Sequence, residues 1–121
     1  MARILIAEDD QISRKLCFKI IERIGHIPLC SPDGKHAYQT LLSDNSIDLL
    51  ITDVMMPEMD GIALIKTIRG HSSFTNLPII IMSAVAGVEY IDGLLGIGAN
   101  LFLPKPIDTD HLVEYVERCL K

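Results

Sequence analysis

Ile47-Asp48-Leu49-Leu50-Ile51-Thr52-Asp53 reads as a buried strand that closes on a bare carboxylate, and Met55-Met56-Pro57 and Asp60-Gly61 follow directly. An ionised carboxylate leaves water at high cost unless something pairs with it. The chain supplies that pairing at the ends of two other apolar runs. Glu8-Asp9-Asp10 follows Arg3–Ala7, and Lys105 stands between Pro104 and Pro106 after Asn100–Leu103. Three acids and one lysine at strand ends suggest a divalent-metal pocket built around one reactive aspartate, Asp53.

Outward from that segment, five short apolar runs alternate with five amphipathic stretches. The predicted strands are Arg3–Ala7, Ile27–Cys30, Ile47–Thr52, Pro78–Ser83 and Asn100–Leu103. Their hydrophobicity is continuous rather than alternating, as in parallel strands covered on both faces. Ile12, Leu16, Ile20 and Ile24 recur every four residues and mark one face of a first helix. Ala37, Leu41 and Leu42 mark a second, and Ile62, Ile65 and Ile68 a third, with Gly61 near its start. Leu112, Val113, Val116, Cys119 and Leu120 mark the fifth, capped by Asp108 or Thr109.

Repeated βα units imply an α/β, doubly wound parallel sheet with right-handed crossovers. Pro28 lacks a ladder donor, so the second strand belongs at an edge. The order 2-1-3-4-5 follows, a flavodoxin-like (βα)5 arrangement across residues 1–121. Ligands of such sheets bind beyond the carboxyl ends of the strands, at the switch point between strands one and three. Glu8, Asp9 and Asp53 fall there.

Of the 121 residues, 49% are hydrophobic and 22% charged, which suits one ordinary globular domain. Eleven basic against sixteen acidic residues give a net charge of −5, which argues against nucleic-acid binding, since phosphate neutralisation needs clustered Lys and Arg. The longest apolar blocks, such as Ile79–Met82, fall far short of the roughly 20 residues that span a bilayer. A strand begins within three residues of the N-terminus, which leaves no room for a signal peptide and makes a cytoplasmic location the expectation. Cys17, Cys30 and Cys119 are far apart and match no metal motif, so they read as reduced, buried or half-buried thiols. His26, His36, His71 and His111 fit no acid–base pattern and read as surface or turn residues.

Magnesium takes oxygen ligands and keeps several waters, so a few carboxylates suffice to hold it. Glu8, Asp9 and Asp53 form such a set if strands one and three are neighbours. Asp10 suits a helix cap instead. Pro104 and Pro106 fix the backbone on both sides of Lys105 and aim its side chain, and Lys105-Pro106 is a candidate cis peptide. Ser83 offers a hydroxyl at the end of the fourth strand. Together these groups look like an acceptor site for a phosphoryl group. Asp53 would be the nucleophile, with the metal, Lys105 and Ser83 holding the phosphoryl oxygens.

The motifs Ile4-Leu5-Ile6-Ala7-Glu8-Asp9-Asp10, Asp48 through Gly61, Ile81-Met82-Ser83-Ala84 and Phe102-Leu103-Pro104-Lys105-Pro106 resemble the response-regulator receiver domains of two-component signalling, chemotaxis regulators among them. The resemblance implies that Asp53 is the phosphoacceptor and that Glu8 and Asp9 are ligands of Mg2+ (or Mn2+), joined by the backbone carbonyl of Met55. It implies that Ser83 is the switch hydroxyl, Phe102 the switch aromatic and Lys105 the phosphate-binding lysine. It further implies phosphoryl transfer from the phosphohistidine of a sensor histidine kinase or phosphotransfer protein, then slow autodephosphorylation. Output would pass through an α4–β5–α5 face to a protein target that the sequence does not name, with a phosphorylation-dependent dimer left open.

A phosphohydrolase of the aspartyl-phosphate type is the competing enzyme class. Such enzymes place a general acid two residues after the nucleophile, where this chain has Met55. A receiver-like docking module that is never phosphorylated would usually have lost an acid or the lysine, and all are present. Met55 and Val85 are apolar near the acceptor and cannot orient an attacking water, so a long-lived phosphorylated state is expected. Gly87, Gly93, Gly96 and Gly98 crowd the fourth helix region, which predicts a short, marginal and mobile helix.

Overall fold

The computed structural model describes residues 1–121. Its elements are β1 (Arg3–Ala7), α1 (Gln11–Arg23), β2 (Ile27–Ser31), α2 (Gly34–Ser43), β3 (Leu49–Asp53), α3 (Gly61–Arg69), β4 (Ile79–Ser83), α4 (Val88–Gly96), β5 (Leu101–Pro104) and α5 (Thr109–Leu120). A single 3-10 turn, Ser72–Phe74, lies between α3 and β4. All strand pairs are parallel, in the order β2-β1-β3-β4-β5. Pro28 sits in the edge strand β2, where its missing donor costs no interior ladder bond.

The side-chain alternation of the strands divides the core in two. Leu5, Leu50, Ile79 and Ile81 face Ala37 and Leu41 of α2, Leu64, Ile65 and Ile68 of α3, and Leu94 of α4. Ile4, Ile6, Leu49, Ile51, Ile80, Met82 and Leu103 face Cys17, Ile20 and Ile21 of α1 and Leu112 and Val116 of α5. Both strand faces are covered, which is why β3 and β4 carry five buried residues each and no polar alternation.

Helix starts follow side-chain chemistry. Asp10, Asp33, Asp60 and Asp108 each accept a hydrogen bond from the backbone N–H three residues on and so cap α1, α2, α3 and α5. The fourth helix lacks this device. Gly87 precedes it with no side-chain cap, and Leu94 is its one buried residue.

Several expectations shift. The third strand runs Leu49–Asp53 rather than Ile47–Thr52, so Asp53 is part of the ladder, opposite Met82. Ile47 is buried in the preceding loop, and burial alone made it look like a strand residue. The buried face of α1 is Cys17, Ile20 and Ile21, whereas Ile12 is 79% and Leu16 40% exposed. Cys30 is exposed, against the expectation for the cysteines, because the edge position of β2 leaves it uncovered. Cys17 is fully buried, and that burial pushes its thiol up to about 12, making it unreactive. No helix is long and apolar enough to cross a membrane.

Candidate functional site

Alternation decides which strand-end side chains meet. Ile4 and Ile6 in β1, Leu49 and Ile51 in β3, and Leu103 in β5 all face α1 and α5. Glu8, Asp53 and Lys105 come next on that parity, so they converge at the carboxyl edge of the sheet. The ammonium of Lys105 lies 2.5 Å from Glu8 Oε1 and 3.2 Å from Asp53 Oδ2. Glu8 is fully buried and Asp53 is 7% exposed. Glu8, Asp9 and Asp53 can each offer a carboxylate oxygen within 4.8 Å of the others.

The backbone holds this cluster firmly. Asp53 Oδ1 accepts the Val54 N–H at 2.9 Å, which leaves Oδ2 facing Lys105. The N–H of Glu8 donates to the Ser31 carbonyl at 3.0 Å, and the Lys105 N–H donates to the Ser83 carbonyl at 2.9 Å. The Lys105-Pro106 peptide bond is cis, as expected. Gly61 donates its N–H to the Val54 carbonyl at 2.8 Å, and a Cβ there would collide with the carbonyl oxygen of Asp53. A glycine at position 61 thus lets α3 start hard against the strand end that carries the aspartate.

Electrostatics follow from this crowding. Burial pushes the Glu8 carboxyl from 4.5 up to about 7, the hydrogen bond from Lys105 opposes the rise, and the neighbouring Asp53 charge adds to it. For Lys105, burial favours the neutral amine, but hydrogen bonding and attraction to Glu8 and Asp53 outweigh it and hold the proton more tightly than usual. Three carboxylates against one ammonium leave surplus negative charge on hard oxygen donors. That donor set fits a magnesium-like cation better than a soft one.

Ser83 and Phe102 belong to the other side of the sheet. Ser83 continues the face of Ile79 and Ile81, is 4% exposed, and its Oγ accepts the Val85 N–H at 3.0 Å. Phe102 is half-buried against the same apolar cluster. The two residues therefore share a face with α3 and α4, while Glu8, Asp53 and Lys105 share the other. Met55 and Val85 are 75% and 57% exposed, so neither side chain covers Asp53.

Three contributors were not picked out from sequence. The Thr52 hydroxyl donates to the Asp53 carbonyl at 2.9 Å, and Arg14 Nη1 donates to the Glu8 carbonyl at 2.9 Å. Glu58, at φ 67°, takes the left-handed turn that the chain makes between Asp53 and α3. Of these, only Thr52, a polar residue inside an apolar run, carried a signal.

The response regulator receiver domain model matches residues 4–117, nearly the whole chain. This chain belongs to the response-regulator receiver domain family. The chain is 29% identical over 119 residues to the chemotaxis protein CheY homolog of Campylobacter jejuni, covering 98% of the chain and 92% of that protein. It is 36% identical to the regulatory protein AtoC of Escherichia coli over 98% of its own length. It spans only 25% of that relative, and 15% of a cyclic-nucleotide phosphodiesterase of Dictyostelium discoideum that it also matches. Among solved structures, the receiver domain of Francisella response regulator 1452 superposes with a TM-score of 0.93 at 31% identity, covering 99% of this chain and 97% of that one. Receiver domains are phosphorylation-dependent signalling modules of two-component systems rather than classical enzymes. They work with histidine kinases or phosphotransfer proteins, and they typically bind Mg2+ through acidic residues.

Proposed function

We propose that residues 1–121 form a receiver domain in which Asp53 accepts a phosphoryl group from the phosphohistidine of a sensor histidine kinase or phosphotransfer protein. The observation that carries this reading is a buried aspartate with a lysine ammonium 3.2 Å away and two further carboxylates within 4.8 Å. Glu8, Asp9, Asp53 and the Met55 backbone carbonyl would hold Mg2+ or Mn2+. Such a cation supplies charge neutralisation for the phosphoryl oxygens and the aspartate.

The chain's own residues then have distinct tasks. Asp53 Oδ2 attacks phosphorus, since Oδ1 is tied to the Val54 N–H. The phosphorus–nitrogen bond to the donor imidazole breaks, and its electron pair returns to that nitrogen. Lys105 pairs with one phosphoryl oxygen and Ser83 donates its hydroxyl to another. The Ser83 O–H is free to donate, since only its oxygen is engaged by the Val85 N–H, but the second task requires the side chain to swing from the α3–α4 face towards Asp53. That motion pulls on the β4–α4 loop, and Phe102, on the same face, follows it. The α4–β5–α5 surface changes and meets a protein target. Met55 offers no proton at the position where a hydrolase keeps its acid, so slow autodephosphorylation ends the signal.

Incubating the protein with acetyl phosphate and Mg2+ tests the reading. Intact-mass measurement is expected to show one added phosphoryl group, absent in Asp53→Asn and absent when EDTA replaces Mg2+. Steady multiple turnover of the donor with no covalent adduct would refute it.

A further inference from the structure

Arg14 lies near the start of α1, close in sequence to Glu8, Asp9 and Asp10, yet its guanidinium forms an ion pair with none of them. Its Nη1 donates instead to the backbone carbonyl of Glu8, at 2.9 Å. That carbonyl belongs to the peptide unit joining Glu8 to Asp9, the two consecutive acids of the cation site. A peptide unit is planar, so holding its oxygen fixes a plane that contains the Cα atoms of both acids. The other side of Glu8 is fixed as well, its N–H donating to the Ser31 carbonyl at 3.0 Å. Arg14 itself has a firm base. Its own N–H donates to the Asp10 carbonyl at 2.9 Å, and the Asp10 carboxylate caps α1 through the Ser13 N–H. Asp9, inside this closed loop, is exposed and enters no ion pair, so the backbone has the larger part in orienting it.

We propose that Arg14 is a positioning residue for the cation site: by holding the Glu8–Asp9 peptide unit it sets both carboxylates towards Asp53 before a divalent cation arrives. The proposal rests on the metal-site reading above and adds to it a residue outside the ligand set. Two effects of Arg14 on that site have opposite signs. Its charge repels an incoming cation, whereas its hydrogen bond spares the loop an ordering cost at the moment of binding. The guanidinium is half-buried, so water on its open side screens the repulsion, while the hydrogen bond keeps its full geometric effect. Groups that orient metal ligands in this way are typically worth about 10–100-fold in affinity, which makes positioning the larger effect.

The test titrates the full chain with Mg2+ alone and follows backbone amide signals by NMR, which gives a Kd without any phosphodonor. Arg14→Met removes the charge and the donors together and should weaken Mg2+ binding about tenfold. Lost repulsion alone would tighten it. Arg14→Lys restores the repelling charge along with a donor and should bind Mg2+ more tightly than Arg14→Met, where charge alone would make it bind more weakly. Tm in EDTA checks that both variants fold. In the wild type, the Arg14 Nη–H signal, assigned by its loss in either variant, should exchange slowly with solvent both without Mg2+ and at saturation, and it decides the matter if Arg14→Met fails to fold. Equal or tighter binding in Arg14→Met, weaker binding in Arg14→Lys than in Arg14→Met, or loss of the slow Nη–H signal on Mg2+ binding would overturn the positioning role and leave the metal site standing. Absence of Mg2+ binding by the wild type at millimolar concentration would overturn both.

Discussion

Two glycine-to-alanine substitutions should move stability in opposite directions, and the difference comes from what each new methyl group meets. At Gly61 a Cβ collides with the Asp53 carbonyl oxygen and comes within 3.0 Å of the Asp53 carbonyl carbon and Val54 Cα, all backbone atoms that cannot rotate away. Overpacking of this kind costs about 1–3 kcal/mol. The helix-propensity gain of Ala over Gly, up to about 1 kcal/mol, offsets only part of it. Because the atoms met are fixed backbone, the overpacking cost belongs in the upper part of its range, about 2–3 kcal/mol, and Gly61→Ala should lose about 1–2 kcal/mol net. In a domain of this size that lowers Tm by roughly 4–8 °C. At Gly93, in the middle of α4, a Cβ meets nothing within 4 Å, so the propensity gain stands alone. Gly93→Ala should raise stability by up to about 1 kcal/mol, a Tm increase of about 4 °C. Thermal unfolding followed by circular dichroism gives both values. Because the Gly61 clash is with the strand end that carries the phosphoacceptor, Gly61→Ala should also slow phosphorylation by acetyl phosphate. An unchanged or raised Tm in Gly61→Ala, with normal phosphorylation, would refute the claim that this close approach positions Asp53.

Three further outcomes follow from the same structure. Met55→Asn should shorten the phosphorylated lifetime, because an amide at that exposed position can orient an attacking water and a thioether cannot; a lifetime of seconds that the substitution leaves unchanged would contradict this. For metal-free protein, the folded state binds the Glu8 proton more tightly than the unfolded chain does. That contribution is full below 4.5 and is lost as pH rises through about 7, whereas that of Asp44, lowered to about 2 by Ser46 and Arg3, is present above 3.8 and lost as pH falls towards 2. Tm measured in EDTA should accordingly fall between pH 4.5 and 7, and Mg2+, which favours ionised Glu8, should flatten the decline; a steeper decline with Mg2+ would count against the site. Amides across Val88–Gly96 should exchange with solvent faster than those of α1 and α5, since α4 has no side-chain cap and one buried residue; uniform protection would show that its glycines are immaterial.

Much of this was legible in the chain because the decisive features are local. Strand ends marked by Glu8, Asp53 and Lys105 stand out as charges after apolar runs, and a proline in β2 located the sheet edge. Periodicity alone could not rank helix faces. In α1 the four-residue spacing of Ile12, Leu16, Ile20 and Ile24 identified the helix, but only the C-terminal half of that row lies against the sheet. Ile47 is buried without belonging to a strand, so hydrophobicity misplaced the start of β3 by two residues. The 3-10 turn at Ser72–Phe74, closed by the Phe74 N–H to the His71 carbonyl, and the Arg14 hydrogen bond to the Glu8 carbonyl six residues back are both local in sequence, but no charge or apolar pattern marks them. The division of the site into a Glu8–Asp53–Lys105 face and a Ser83–Phe102 face needed the strand register, which no single run of residues contains.

The central claim is that Asp53 is where the phosphoryl group is written. Borohydride reduces an acyl phosphate to an alcohol, so protein treated with acetyl phosphate and Mg2+ and then reduced carries homoserine wherever an aspartyl phosphate stood. Peptide mass spectrometry is expected to find that mark at residue 53 alone, with Asp9, Asp10 and Asp60 intact. Homoserine at any of those neighbours, or at none of the aspartates while phosphate is bound, would contradict the account.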